Sequence, residues 1–109
     1  MAFSYLCEHE DAQTTAEEVE SHGVRCVPIA GDMGERAHCA EVVLQSVDVL
    51  GGVDVLVNNV ATQTPLPSFE ELSDEQWLHT FDVNVHSFFR TTKVGILGYQ
   101  HGIGQWSAR

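Results

Sequence analysis

Two adjacent asparagines, Asn58 and Asn59, directly follow an apolar run at residues 53–57. Such a run is typical of a buried strand, and the carboxyl end of a strand is where open α/β sheets bind their ligands. A third asparagine, Asn84, lies in an aromatic-rich segment with helical spacing. The three amides together predict a polar ligand site at one edge of a sheet.

Strand and helix patterns alternate along the chain and would position these amides. We predict strands at residues 2–6, 24–30 and 53–59, and helices at residues 11–22, 35–50 and from Ser73 onward. Ser73 and Gln76 have the spacing of a capping box, and Gly23 and Gly51 stand where helices should end. Pro28 removes a backbone donor, so its strand should lie at a sheet edge. The alternation predicts an α/β fold, a partial Rossmann-like parallel sheet with flanking helices.

Composition limits the classes of function. The chain has 109 residues, 43% of them hydrophobic, which fits one small globular domain. Sixteen acidic against five basic residues give a net charge of −11, which argues against a nucleic-acid or anionic-membrane partner. No membrane-length apolar run or secretory signal is visible, so we expect a cytoplasmic protein.

The metal-binding residue types show no ligand spacing. Cys7, Cys26 and Cys39 form no C-x-x-C pair, and we expect reduced thiols packed in or near the core. The six histidines are scattered, and we predict no metal site.

A change of composition begins at Val94. Glycine occupies positions 95, 98, 102 and 104, a spacing that suits neither a helix nor a regular strand. We therefore predict a partial dinucleotide-binding domain at residues 1–93 and a divergent, disordered tail at residues 94–109.

Several separated motifs occur in an order that resembles the short-chain dehydrogenase/reductase family. The chain is most similar to the branch that includes 3-oxoacyl carrier-protein reductases and glucose-dehydrogenase-like stress proteins. The motifs are Gly31-Asp32, Leu50-Gly-Gly-Val-Asp-Val-Leu-Val-Asn-Asn59, Trp77-x-x-Thr-Phe-Asp-Val-Asn84 and Phe88-Phe-Arg-Thr-Thr-Lys93. The resemblance covers about residues 1–93, from the family's second strand to its fourth strand and the following helix, so the chain is truncated at both ends relative to the family pattern.

The resemblance implies roles for four residues that could bind a cofactor or position the sheet. Asp32 would meet the adenine amino group, with the backbone of Met33 beside it, although an acid here could also favour a helix N-terminus. Asn58 would mainly stabilise the central sheet and Asn59 would lie beside the cofactor ribose; the alternative is a pair of turn residues. The family motif continues Ala-Gly where this chain has Val60-Ala61, and the added side chain should weaken cofactor binding.

The resemblance also implies a catalytic residue. Asn84 matches the asparagine that shapes the active-site helix and holds a water in the proton relay. The alternative is a core asparagine satisfied by a neighbouring carbonyl, and both can hold together. Lys93 corresponds to a lysine that ends this helix and is assigned no chemistry.

Other parts of the family pattern do not occur in the sequence. There is no Gly-rich turn for the pyrophosphate of NAD or NADP, no matching serine and no Tyr-x-x-x-Lys pair, in which a lysine lowers the tyrosine pKa. Tyr99 is followed four residues later by Ile103. The residues at the end of the first predicted strand, Ser4-Tyr5-Leu6, leave the choice between NAD and NADP open.

Three interpretations remain. The first is a fragment of an NAD(P)-dependent oxidoreductase that acts on a small carbonyl or alcohol and lacks turnover by itself. The second is a non-catalytic binding or dimerisation module, since the helix at residues 77–89 belongs to the dimer interface in relatives. The third is an unrelated flavodoxin-like domain. The segment Cys7-Glu-His-Glu-Asp11 argues against it, because this segment is too acidic to hold a phosphate. A sheet without its central strand should also be marginally stable or form homo-oligomers.

Overall fold

The computed structural model describes residues 1–102, with side-chain surroundings for residues 1–96. The elements in chain order are β1 (Ala2–Tyr5), α1 (His9–Glu20), β2 (Val27–Ala30), α2 (Arg36–Leu50), a 3-10 turn (Phe69–Glu71), α3 (Asp74–Phe81), a π-helical segment (Asp82–His86) and α4 (Ser87–Gly102).

The strands β1 and β2 form a parallel pair joined by α1, as the predicted βαβ unit requires. Ala2 lies opposite Val27 and Tyr5 lies opposite Ala30. Pro28 sits in β2, which pairs with β1 alone within the part of the chain described. The missing donor of Pro28 therefore falls where an edge strand tolerates it, and the prediction of an edge position is confirmed.

The third predicted strand, at residues 53–59, is wrong for this structure: these residues have no regular secondary structure. Val55 and Val57 are 79% and 75% exposed. Within residues 1–102, β1 and β2 pair only with each other, so no strand lies beside residues 53–59. A strand cannot form without a partner for its backbone groups.

Three local signals place the helix ends as expected. Gly51 ends α2 with φ 89° and donates its N–H to the Val47 carbonyl at 2.8 Å. Gly23 follows α1 with φ 82°. Ser73 and Gln76 form the predicted capping box, since the Ser73 Oγ accepts from the Gln76 N–H at 3.2 Å and the Ser73 N–H donates to the Gln76 side chain at 3.0 Å.

Helix α4 corrects the prediction that residues from Val94 onward form neither helix nor strand, since it continues to Gly102. Gly95 is buried, and a Cβ placed there would lie 3.5 Å from the Leu56 side chain. Close packing of this kind compensates for the low helix propensity of glycine. Residues 103–109 lie outside the described part of the chain, so the boundary at residue 93 and the disordered tail stay predictions.

Much of the core lies where α2 packs against α4, which continues directly from the π-helical segment. Cys39, Val43 and Val83 are buried there, together with the hydroxyl-bearing Ser87 and Thr91. The Thr91 hydroxyl lies 2.8 Å from the Ser87 carbonyl, so it has a partner within its own helix. In the described part of the chain, no helix is long and apolar enough to cross a membrane, and no three potential metal ligands cluster.

The three cysteines are free thiols, as expected, but they differ in burial. Cys26 and Cys39 are buried, whereas Cys7 is exposed at the end of β1, so the expectation that all three pack in or near the core is wrong for Cys7. Cys39 is fully buried, and its Sγ donates to the Met33 carbonyl at 3.1 Å. Burial raises the pKa of the Cys39 thiol above its ordinary value.

Candidate functional site

Asn58 connects the irregular segment at residues 53–59 to helix α4. Its Oδ1 lies 2.8 Å from the Thr91 hydroxyl, and its Nδ2 donates to the Thr92 hydroxyl at 3.1 Å. The expected role of Asn58 was to stabilise the central sheet. In this structure its amide holds the segment against a helix instead, and residues 1–102 provide no strand beside it.

Asn84 makes a paired contact with the loop that follows Asn59. Its Oδ1 accepts from the Thr62 N–H at 2.7 Å and its Nδ2 donates to the Thr62 carbonyl at 2.9 Å. Both halves of the amide are therefore engaged with one backbone residue, which fits the structural alternative for Asn84. One lone pair of Oδ1 and one N–H of Nδ2 remain for further partners.

The π-helical segment has Asn84 at its centre. The Ser87 N–H reaches the Asp82 carbonyl, five residues earlier, which widens the helix at this point. Single π turns inside α-helices occur frequently at functional sites, where they change the direction of side chains and carbonyls. The widened turn thus includes the asparagine to which the family resemblance assigns a helix-shaping role.

Asn59 is exposed, as is Asn58, whereas Asn84 is half-buried. It lies between Asn58, held by α4, and Thr62, held by Asn84. The next residue, Val60, is half-buried, whereas Ala61 is exposed. The backbone on both sides of Asn59 is therefore fixed, while its amide faces solvent and remains accessible to a ligand.

Asp32 lies in a tight turn at the carboxyl end of β2. Its Oδ1 accepts from the Gly34 N–H at 2.7 Å, and its carbonyl accepts from the Glu35 N–H at 3.0 Å. Helix α2 begins only at Arg36, with Glu35 as its N-cap. Because helix-dipole effects fall off within the first turn, the alternative of a helix N-terminal acid is disfavoured for Asp32.

The turn after β2 packs tightly on the π-helical segment. A Cβ at Gly34 would lie 3.2 Å from Val83 Cγ2 and 3.3 Å from the His79 ring. Val83 therefore contacts the Asp32 turn, while its neighbour Asn84 binds Thr62 on the loop. The π-helical segment joins two of the predicted site regions, the turn with Asp32 and Met33 and the loop after Asn59.

Arg90 was not singled out by the sequence analysis, although it contacts both the turn and the helix. Its Nη1 donates to the Gly34 carbonyl at 3.3 Å and its Nη2 to Asp82 Oδ1 at 3.1 Å. The available signal was a cation within an apolar, aromatic helix of a chain with only five basic residues. Such a cation is expected to bind an acid or a carbonyl near the core.

The Asp82 carboxylate also lies 3.0 Å from His86 Nδ1. The hydrogen bond with His86 lowers the pKa of Asp82 below its ordinary value, and the hydrogen bond from Arg90 acts in the same direction. The carboxylate is thus held in its charged form at the start of the π-helical segment.

His38 is a second residue of this region that was not predicted from the sequence. Its ring is buried and lies directly over Gly31, where a Cβ would overlap the ring atoms. Its Nε2 lies 3.2 Å from the Ser4 hydroxyl. This contact ties α2 to β1, and it explains why glycine is needed immediately before Asp32.

Two of the predicted site residues expose polar groups to solvent. Asp32 offers a half-exposed carboxylate and Asn59 an exposed amide, which suit an adenine amino group and a ribose hydroxyl. By contrast, the open cavity at the end of β1 is lined by Cys7, Glu8, His9, Glu10 and Asp11. The carboxylates there would repel a pyrophosphate. This is the reason for which the sequence argues against a flavodoxin-like phosphate loop.

Comparisons with known proteins agree with this arrangement. A model of the family described as short chain dehydrogenase matches residues 2–105. General stress protein 39 of Bacillus subtilis is 46% identical over 96 residues, which are 88% of this chain and 34% of that protein. The chain thus spans about a third of the length of this relative.

Two solved structures show the same fold. A short-chain dehydrogenase/reductase from Serratia marcescens superposes with a TM-score of 0.83 at 30% identity, over 90% of this chain and 40% of the other. A blue fluorescent protein from a metagenomic library, in complex with NADPH, gives a TM-score of 0.82 at 28% identity with the same coverage of each chain. The motif order, the parallel βαβ unit and the family match over residues 2–105 together show that the chain belongs to the short-chain dehydrogenase/reductase family.

Proposed function

We propose that this chain forms the adenine side and the asparagine edge of the cofactor cleft in an NAD(P)-dependent short-chain oxidoreductase. The observation that carries the proposal is the paired hydrogen bond between Asn84 and Thr62, since it fixes the loop beside Asn59 to a helix reshaped around the expected catalytic position. The substrate class is a small carbonyl or alcohol, because a bound nicotinamide supplies or accepts a hydride.

Each predicted residue has a separate task in this proposal. The free oxygen of Asp32 would accept a hydrogen bond from the adenine amino group, with the backbone of Met33 beside it. Asn59 would bind a ribose hydroxyl with its exposed amide. Asn84 would act as the catalytic asparagine through its main chain, by holding a water in the proton relay while its side chain fixes Thr62.

We propose that residues 1–109 alone do not catalyse hydride transfer. The Tyr5 hydroxyl lies 2.8 Å from His9 Nδ1, at the end of β1. Lys93, to which no chemistry was assigned, lies over the Phe89 ring with its Nζ 5.8 Å from the centroid. The sequence contains no Tyr-x-x-x-Lys pair, so no phenol is placed to exchange a proton with an alcohol oxygen at neutral pH.

Cofactor choice stays between NAD and NADP. The similar structure that holds NADPH makes NADPH the first ligand to test. The cytoplasmic location and the formation of homo-oligomers also remain predictions.

The test is a fluorescence titration of purified residues 1–109 with NADPH and NADH, followed by an assay of carbonyl reduction. We expect weak, saturable binding without turnover, weakened further by Asn59→Ala. Gln63→Ala is the matched control, because it removes another exposed amide four residues later. Absence of binding to either nucleotide would contradict the cofactor cleft, and measurable reduction would contradict the claim of incomplete chemistry.

A further inference from the structure

Arg90 joins two regions that are far apart in sequence. Its side chain is 19% exposed, and its guanidinium reaches the Gly34 carbonyl in the turn after β2 and the Asp82 carboxylate at the start of the π-helical segment. We call this three-residue unit, Gly34, Asp82 and Arg90, the Arg90 bracket. It is distinct from the residues proposed to contact the cofactor.

The helical half of the bracket spans the π-helical segment. Neighbours on an α-helix are three or four residues apart, whereas Asp82 and Arg90 are eight apart. A contact at this distance encloses the widened turn from both ends. The ion pair between Asp82 and Arg90 therefore favours the helical geometry that has Asn84 at its centre.

The other half of the bracket acts on the turn. Gly34 is held on its amide side by the Asp32 carboxylate and on its carbonyl side by Arg90. Val83 packs against the same residue. Because Oδ1 of Asp32 is bonded to the Gly34 N–H, its other oxygen is left for a ligand.

We propose that Arg90 is a positioning residue of the cleft, which sets the orientation of Asp32 through Gly34 and couples this turn to the helix around Asn84. The inference rests on the proposed function in one respect, since the ligand of Asp32 is taken to be an adenine. Arginine suits this role because its planar fork reaches two acceptors at once, whereas a lysine provides one compact charge.

The ligand-free part of the test measures amide hydrogen exchange by NMR on residues 1–109. Arg90→Met should speed exchange at the Gly34 amide about tenfold, the equivalent of losing one hydrogen bond to a charged group. The Gly51 amide, which is bonded to Val47 at the far end of α2, should keep its rate. Arg90→Lys should restore protection in part, and it serves as the main variant if Arg90→Met does not fold.

Lys93→Met is the matched control, since it removes a cation from an exposed position on the same helix. Equal exchange at Gly34 in the Arg90 and Lys93 variants would overturn the proposal. So would equal acceleration at Gly34 and Gly51, because that result would show only a general loss of stability.

The second part titrates AMP, which carries the adenine and one ribose without nicotinamide. Arg90→Met should weaken AMP binding about tenfold, and Lys93→Met should leave it unchanged. If the wild-type chain binds no AMP, the proposed cofactor site fails, and the exchange rates at Gly34 still decide whether Arg90 positions the turn. If AMP binds equally to wild type and Arg90→Met, the positioning role is refuted.

Discussion

Asn84 substitutes for a neighbouring strand at Thr62, since its single amide side chain binds both the N–H and the carbonyl of that residue at 2.7 and 2.9 Å. A strand would make the same two bonds with its backbone. The loop beyond Asn59 is therefore fixed by a helix side chain, in a region where the described residues provide no third strand.

Removing this amide should destabilise the chain. Asn84→Ala leaves both polar groups of Thr62 without their partner, and we expect a loss of roughly 1–3 kcal/mol in the free energy of unfolding, measured by urea denaturation. Thr62→Ala is the control, because the bonds go to the backbone and should survive it. A larger loss in Thr62→Ala than in Asn84→Ala would contradict this account.

The thiols should react with a disulfide reagent at different rates. Cys7 is exposed, whereas Cys26 and Cys39 are buried, and the raised pKa of Cys39 lowers its thiolate fraction. We expect one fast and two slow thiols at pH 8, with all three fast in urea. Cys7→Ser should abolish the fast phase, and a fast phase that persisted in this variant would refute the assignment.

The stabilisation that Asp82 provides should depend on pH. Its folded pKa is lower than its ordinary value of 3.8 because of the hydrogen bonds with His86 and Arg90. A depressed folded pKa contributes stability above the unfolded value, and that stability is lost as the pH falls through the folded pKa. The stability difference between wild type and Asp82→Asn should therefore be constant near pH 6 and shrink below about pH 4.

Thermal unfolding of both proteins between pH 6 and pH 3 would measure this difference. Asp74→Asn is a suitable control, since this carboxylate lies in the exposed first turn of α3. If the stability difference between wild type and Asp82→Asn grew as the pH fell, the pH dependence would be opposite to the expected one and would contradict the proposed ion pair.

Exposed valines should drive self-association. Val55 and Val57 are 79% and 75% exposed in the segment predicted to be a buried strand, and exposed apolar segments with unpaired backbone tend to aggregate. Val57→Lys should shift the chain toward monomer in analytical ultracentrifugation without a loss of stability. Val24→Lys adds the same charge at a valine outside this segment and should leave the association unchanged; an equal effect would point to net charge alone.

Local patterns in the sequence predicted the helices and the βαβ unit. The capping box at Ser73 and the left-handed Gly51 depend on neighbouring residues, and both occur as expected. Helix α1 starts at His9 rather than at residue 11, a small shift at a fraying end. Signals of this kind survive because they involve residues close together in the chain.

The remaining errors concern contacts between distant residues. The run at residues 53–59 has the composition of a strand, but composition does not supply the strand that must lie beside it. Gly95 lies in helix α4, where a Cβ would lie 3.5 Å from Leu56, 39 positions earlier. Arg90 donates a hydrogen bond to the Gly34 carbonyl, a contact that helical periodicity alone does not predict.

The way in which Asn58 and Asn84 attach residues 53–62 to the helices affects how easily this segment opens. The segment at residues 53–62 is attached by side-chain amides, whereas β1 and β2 share a backbone ladder. Regions with few buried apolar contacts open at a lower free energy than the whole domain. We therefore expect residues 53–62 to open at a lower free energy than the βαβ unit.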